Sequence, residues 1–210
     1  MDNIPYFMIA FFLLTLAVQI MVRRSNNGFD QMTKEFAQRE IEANNTRIKG
    51  IDESLFVTPD ISGLPFKEYE ETEENKRIIK KQNAVSKKSA FKMIRFPEVM
   101  TNTDIKLHYG ANNFDMLLMY EEHYNGYIRA LLEWGEELIK MGMNDDAAKV
   151  LQNAVDFYSD IGKTYTLLAK IYYDKNDREA LKKLASCAKC SRLKLKDKTV
   201  KEIEGYIYGE

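Results

Sequence analysis

Two cysteines and two histidines are the residues of this chain best suited to redox or metal chemistry, and their spacing decides what they could do. Cys187 and Cys190 stand as C-x-x-C, the spacing of redox pairs and of half a zinc site. A redox pair gains from a helix N-terminus, where the dipole lowers the thiol pKa, whereas these cysteines are predicted near a helix end. A zinc site needs four ligands, and His108 and His123 lie far upstream. Packing accounts for Cys187, which is expected in a small-residue slot between helices. So few cysteines make no disulfide framework and fit a reducing compartment. No nucleophile stands beside a base, no glycine-rich phosphate loop occurs, and no carboxylates pair with histidine at helical spacing. Tyr120, Tyr124, Tyr127 and Tyr158 are expected to pack between helices. The residues therefore predict no enzyme, no metal and no cofactor.

The elements behind these residues follow from composition. A chain of 210 residues holds one ordinary domain and an appendage. Charged residues make up 30% but cancel to a net charge of -1, which gives no global field toward nucleic acid. Glycine and proline are sparse while Lys, Glu, Asn, Leu and Ile are common, so the expected class is all-α.

From Ile4 to Val22 no residue is charged, and Arg23 and Arg24 follow. As a helix this run would be roughly 28 Å long, about the thickness of a bilayer's hydrocarbon core. A cleaved signal would want a basic start and a small-residue cleavage site, and a core helix would want a polar stripe. A single transmembrane helix is therefore expected over residues 1–24, with the lipid bilayer as a partner. Arg23, Arg24, Lys34, Arg39, Arg47 and Lys49 all follow it and no basic residue precedes it. That asymmetry places the N-terminus outside and the C-terminal domain in the cytoplasm of a single-pass protein, with a bacterial cytoplasmic membrane as the expected location.

Residues 25–50 carry Phe29, Met32, Phe36 and Ile41 among many charges, a loose helical stripe. They read as a juxtamembrane helix, a solvated spacer in preference to a short homodimeric coiled coil. Residues 51–109 read as a linker with extended and charged segments. Pro59, Gly63 and Pro65 break its first part, and Glu68 to Lys88 runs from acidic to basic in the sense that suits an exposed helix. The acids there cancel the phosphate attraction of the lysines, which argues against nucleic acid.

Internal repetition is the most specific signal. Leu131, Trp134, Gly135, Leu138 and Ile139 reappear thirty-four residues on as Tyr165, Leu168, Ala169, Tyr172 and Tyr173. Ala147, Leu151 and Ala154 answer to Ala180, Leu184 and Cys187 once one residue is dropped from the intervening turn. This pattern resembles the tetratricopeptide repeat family, over Ile128 to about Ser191, although the proline usual at the end of the second helix is absent. The resemblance implies helical hairpins in which Gly135 or Ala169 lets the partner helix approach. Parts of the chain also resemble uncharacterised membrane-anchored repeat proteins of bacteria, a likeness that implies no activity. A tetratricopeptide-like domain is expected over 110–210. Two units cannot cover their own outer faces, so Phe114, Leu117, Leu118 and Tyr124 on one side, and Val200, Ile203 and Ile207 on the other, are expected in cap helices, the latter started by Asp197 or Thr199.

The family resemblance implies a concave groove for a protein or peptide, floored by Arg129, Leu132, Glu136 and Ile139 and by Lys163, Thr166, Lys170 and Tyr173. Leu132 and Glu136 stand where carboxylate-clamping members carry Lys and Asn, which disfavours that subfamily. Residues 51–66 or 91–109 could instead cover the groove. The expected function is a membrane-tethered scaffold that recruits a cytoplasmic protein, its tether raising local concentration. The alternative is a structural subunit packed permanently into a larger membrane complex.

Overall fold

The computed structural model describes residues 6–47, 50–73 and 75–209, without the side chains of residues 6, 7, 9, 10 and 24–28. The expectations placed on Ile4, Ile48, Lys49 and Glu74, and on the side chains of Phe7, Ile9 and Arg24, lie outside the described residues. Eight α-helices are described: α1 (Tyr6–Asn45), α2 (Lys76–Ser89), α3 (Asn102–Tyr109), α4 (Phe114–Lys140), α5 (Asn144–Asp156), α6 (Gly162–Asp174), α7 (Arg178–Cys190) and α8 (Lys196–Tyr208). Strands β1 (Phe56–Val57) and β2 (Met93–Ile94) form one antiparallel pair, with Phe56 opposite Ile94 and Val57 opposite Met93. The chain divides into two units, Met1–Ile51 with Glu98–Asp115, and Asp52–Pro97 with Met116–Glu210.

In the first unit α3 docks on the C-terminal part of α1. Thr101 and Asp104 form a reciprocal capping box that starts α3, and Arg39 of α1 pairs with Asp104 at 2.6 Å. Glu40 accepts from the Thr103 hydroxyl and Lys106 donates to Asn44 at 2.8 Å, around buried Ala43, Thr103 and Ile105.

The membrane expectation is corrected here. Among the described residues no helix is long and apolar enough to cross a membrane. The apolar stretch of α1 includes Phe11, Leu13, Leu16, Ile20 and Val22. Thr15 and Gln19 interrupt it, and the helix continues through Arg23 into charged sequence. The anchor over 1–24, the bilayer as partner, the single-pass topology and the bacterial membrane location thus find no helix to carry them among the described residues. The juxtamembrane helix expected over 25–50 is not separate either, because α1 is unbroken from Tyr6 to Asn45.

The second unit is built around α4 to α8, with Tyr127, Leu131, Trp134, Leu138, Leu151, Tyr165, Leu168, Leu184 and Ile203 in its core. Short connections turn each helix back along the last. Gly142 ends α4 with φ 72° and Asn176 follows α6 with φ 61°, both in the left-handed region. Asp177 then caps α7 by accepting from the Ala180 amide at 3.0 Å. At the α4–α5 crossing Gly135 has no room for a side chain, since a Cβ there would meet Leu151 Cδ2 at 2.7 Å. Phe114 to Tyr124 are not a separate cap helix but the first turns of α4, which no breaker interrupts. At the other end Val200, Ile203 and Ile207 of α8 are buried, but neither Asp197 nor Thr199 starts the helix, which begins at Lys196 without a side-chain cap.

Residues 52–97 are a strap rather than a linker. Leu55, Leu64, Ile78, Val85, Met93, Ile94 and Phe96 are all buried. Asn153 of α5 donates to the Asp60 carbonyl at 2.7 Å, the Phe66 ring lies 5.1 Å from that of Trp134, and Lys67 pairs with Asp146. The helix expected to be exposed, α2, buries Ile78 and Val85 completely and pairs Lys81 with Glu133 of α4 at 2.6 Å. Those two apolar residues stand seven apart on one face, which suffices to seat a helix whose remaining faces are charged.

Candidate functional site

The helices α4, α6 and α8 present side chains to a common groove of about 640 Å³. From α4 come Asn125, Ile128 and Arg129, and from the start of α6 come Lys163 and Thr166. The loop after α7 and α8 itself add Lys194, Leu195, Lys198 and Glu202. Arg129 is exposed and donates to Glu122 at 2.6 Å, and Lys163 pairs with Glu136 across the α4–α6 interface. Lys194 and Lys198 have no ion pair among the described residues, so their charge is available to a ligand. Four cationic side chains line the groove against the two acids Asp160 and Glu202. At its floor Gly162 lets α6 approach α8, because a Cβ there would lie 2.7 Å from Thr199 Oγ1.

Of the eight residues expected to floor a groove, Arg129, Lys163 and Thr166 line this one. Glu136 lies behind it as the partner of Lys163. Leu132 is corrected to a core residue, 9% exposed, and Ile139 packs partly buried against the same core. Both sit on the stripe that α4 must bury to hold α5 and α6. Lys170 is exposed beyond the groove, and exposed Tyr173 stacks on Tyr206 of α8 with ring centroids 5.1 Å apart.

The strap does not fill the groove: no residue of 51–66 or 91–109 lines it. Lys194, Leu195, Lys198 and Glu202 were missed in the sequence because α8 was read only as a cap. Spacing gave a usable signal, since α8 begins thirty-four residues after the start of α6, the interval of the repeat itself.

Both cysteines fall in the last turn of α7, but Cys187 is not in the packed slot expected for it. Cys187 is exposed, as is Cys190, and neither forms a disulfide. Leu184 and Ala188 take the buried positions of that turn, 3% and 0% exposed, because α7 is rotated so that Cys187 points off the core. No group of three His, Cys, Asp or Glu residues that could hold a metal occurs among the described residues. Beside the thiols, the buried phenols of Tyr124 and Tyr165 are both pushed up to about 12 by desolvation. Their hydroxyls donate to main-chain carbonyls, Tyr124 to Phe157 at 2.9 Å and Tyr165 to Ser159 at 3.0 Å. These phenols are structural, since each holds the α5–α6 connection in place.

No protein-family model, no curated protein and no solved structure matches the chain.

Proposed function

We propose that this chain is a protein-protein interaction scaffold whose tetratricopeptide-like hairpins receive an extended, acidic segment of a partner in the groove of α4, α6 and α8. The observation that carries this reading is the unneutralised pair Lys194 and Lys198, set beside Arg129 and Lys163 around an open concavity. Extended peptides suit a groove floored by helices, and exposed cations at its rim favour an acidic segment by steering and complementarity. Fluorescence anisotropy of the full chain against acidic, neutral and basic peptides of equal length tests the reading. Selective binding of acidic peptides is expected, weakened about tenfold or more by Lys194→Glu with Lys198→Glu and by added salt. Equal binding of all three, or none, would reject it.

A second reading, a structural subunit of a larger assembly, is favoured by the exposed apolar side chains of α1, among them Phe11, Phe12, Leu14, Val18, Ile20 and Met21. Light scattering on the purified chain separates the two: a scaffold stays monomeric, whereas an obligate subunit self-associates or degrades.

A further inference from the structure

A second cavity in the same unit, of about 320 Å³, lies where the C-terminal end of α7 meets the α5–α6 connection and the end of the strap. We propose that it is a binding site for a small aromatic carboxylate. The volume falls at the lower end of the range for small-molecule sites. Its walls divide by chemistry. Val155, Tyr158 and Tyr165 supply apolar and aromatic surface, while Arg95 and Arg192 supply two guanidinium groups.

The cations are held rather than loose. Arg95 lies over the Tyr158 ring, 4.5 Å from its centroid, and Arg192 donates to the carbonyls of Phe96, at 2.8 Å, and Pro97. Neither guanidinium pairs with a carboxylate among the described residues. The single acid of the lining, Asp156, accepts from Gln152 at 2.7 Å. The cavity therefore carries an excess of positive charge that the protein leaves unpaired, in a setting where guanidinium matches the planar geometry of a carboxylate.

Tyr158 is placed by the end of α5, which closes with the Tyr158 amide donating to the Val155 carbonyl and the Ser159 amide to the Ala154 carbonyl, both at 2.9 Å. It holds φ at 62°, a left-handed conformation uncommon for a side chain of this size, and stays 62% exposed. Its carbonyl is fixed by the Tyr124 hydroxyl at 3.1 Å. That helix ending leaves the exposed ring beside Arg95. An aromatic ring on the ligand would pack against the exposed Tyr158 ring while its carboxylate met Arg95.

Cys187 and Cys190 line the same cavity and are free, so they report its occupancy without any label being introduced. The test measures the rate of iodoacetamide alkylation at the two thiols of the full chain, by mass spectrometry, with phenylacetate, phenylacetamide or phenethylamine present. Phenylacetate should slow alkylation saturably, with the neutral amide and the cationic amine leaving it unchanged. In an Arg95→Met chain of unchanged circular dichroism, about tenfold more phenylacetate or more should be needed. Equal protection by acid and amide, no saturable protection by the acid, or undiminished protection in Arg95→Met would each overturn the site. The wild-type comparison decides even if the variant misfolds.

Discussion

A Cβ at Gly135 would lie 2.7 Å from Leu151 Cδ2, and Leu151 is itself fully buried. A Gly135→Val side chain must displace a leucine that has nowhere to go. The expected cost is about 1–3 kcal/mol, read as a lower denaturation midpoint in urea, and Leu151→Ala in the same chain should restore part of it. Trp134, with no exposed surface, should lose about 3–5 kcal/mol as alanine. The buried phenols give a pH dependence with a definite sign. Tyr124 and Tyr165 have folded values of about 12 against an ordinary 10.0. Between those limits the unfolded chain has released protons that the folded chain still holds, so stability falls as pH rises through this window. Melting temperatures followed from neutral to strongly alkaline pH should be flat below the lower limit on this account and drop above it. Replacing both residues with phenylalanine should shrink the drop, part of which remains because burial also raises the Tyr127 phenol.

At the scale of elements, what could be read in advance were the apolar residues at helical spacing between Leu131 and Leu184, together with the glycine and alanine that separate them. Those positions carry their own packing logic, and the helices formed on them. The strap was not legible for the opposite reason. Pro59, Gly63 and Pro65 declare only that no long helix forms, and they say nothing about whether Leu64 or Met93 finds a surface to bury against. The groove was legible in part: Arg129 and Lys163 are implied by the resemblance to the repeat family, while Lys194 and Lys198 stand at and beside a helix expected only as a cap. The two readings of α2 differ measurably. A solvated helix would tolerate Ile78→Ala within about 0.5 kcal/mol, whereas a helix seated on the core should lose about 2–5 kcal/mol. Equilibrium urea unfolding of that single variant decides between them.

For the molecule as a whole, the division into two units means that removing sequence has local rather than uniform effects. Deleting residues 1–51 should leave the cooperative unfolding of the second unit in place. It should strip α3 of the Arg39 and Glu40 contacts and of Ala43, leaving an eight-residue helix too short to persist alone. Hydrogen exchange should show the amides of α3 approaching unprotected rates while those of α5 and α6 stay slow; general loss of protection would contradict the division. The strap has a kinetic consequence too. Asp60 meets its α5 partner ninety-three positions further along the chain, so during synthesis this segment leaves the ribosome well before its seat has been made. Until the helices of the second unit are translated, Leu64, Ile78 and Val85 lack the core that buries them. Closure must then cross a long sequence separation, which slows the final step and makes this nascent stretch a natural client for holding chaperones.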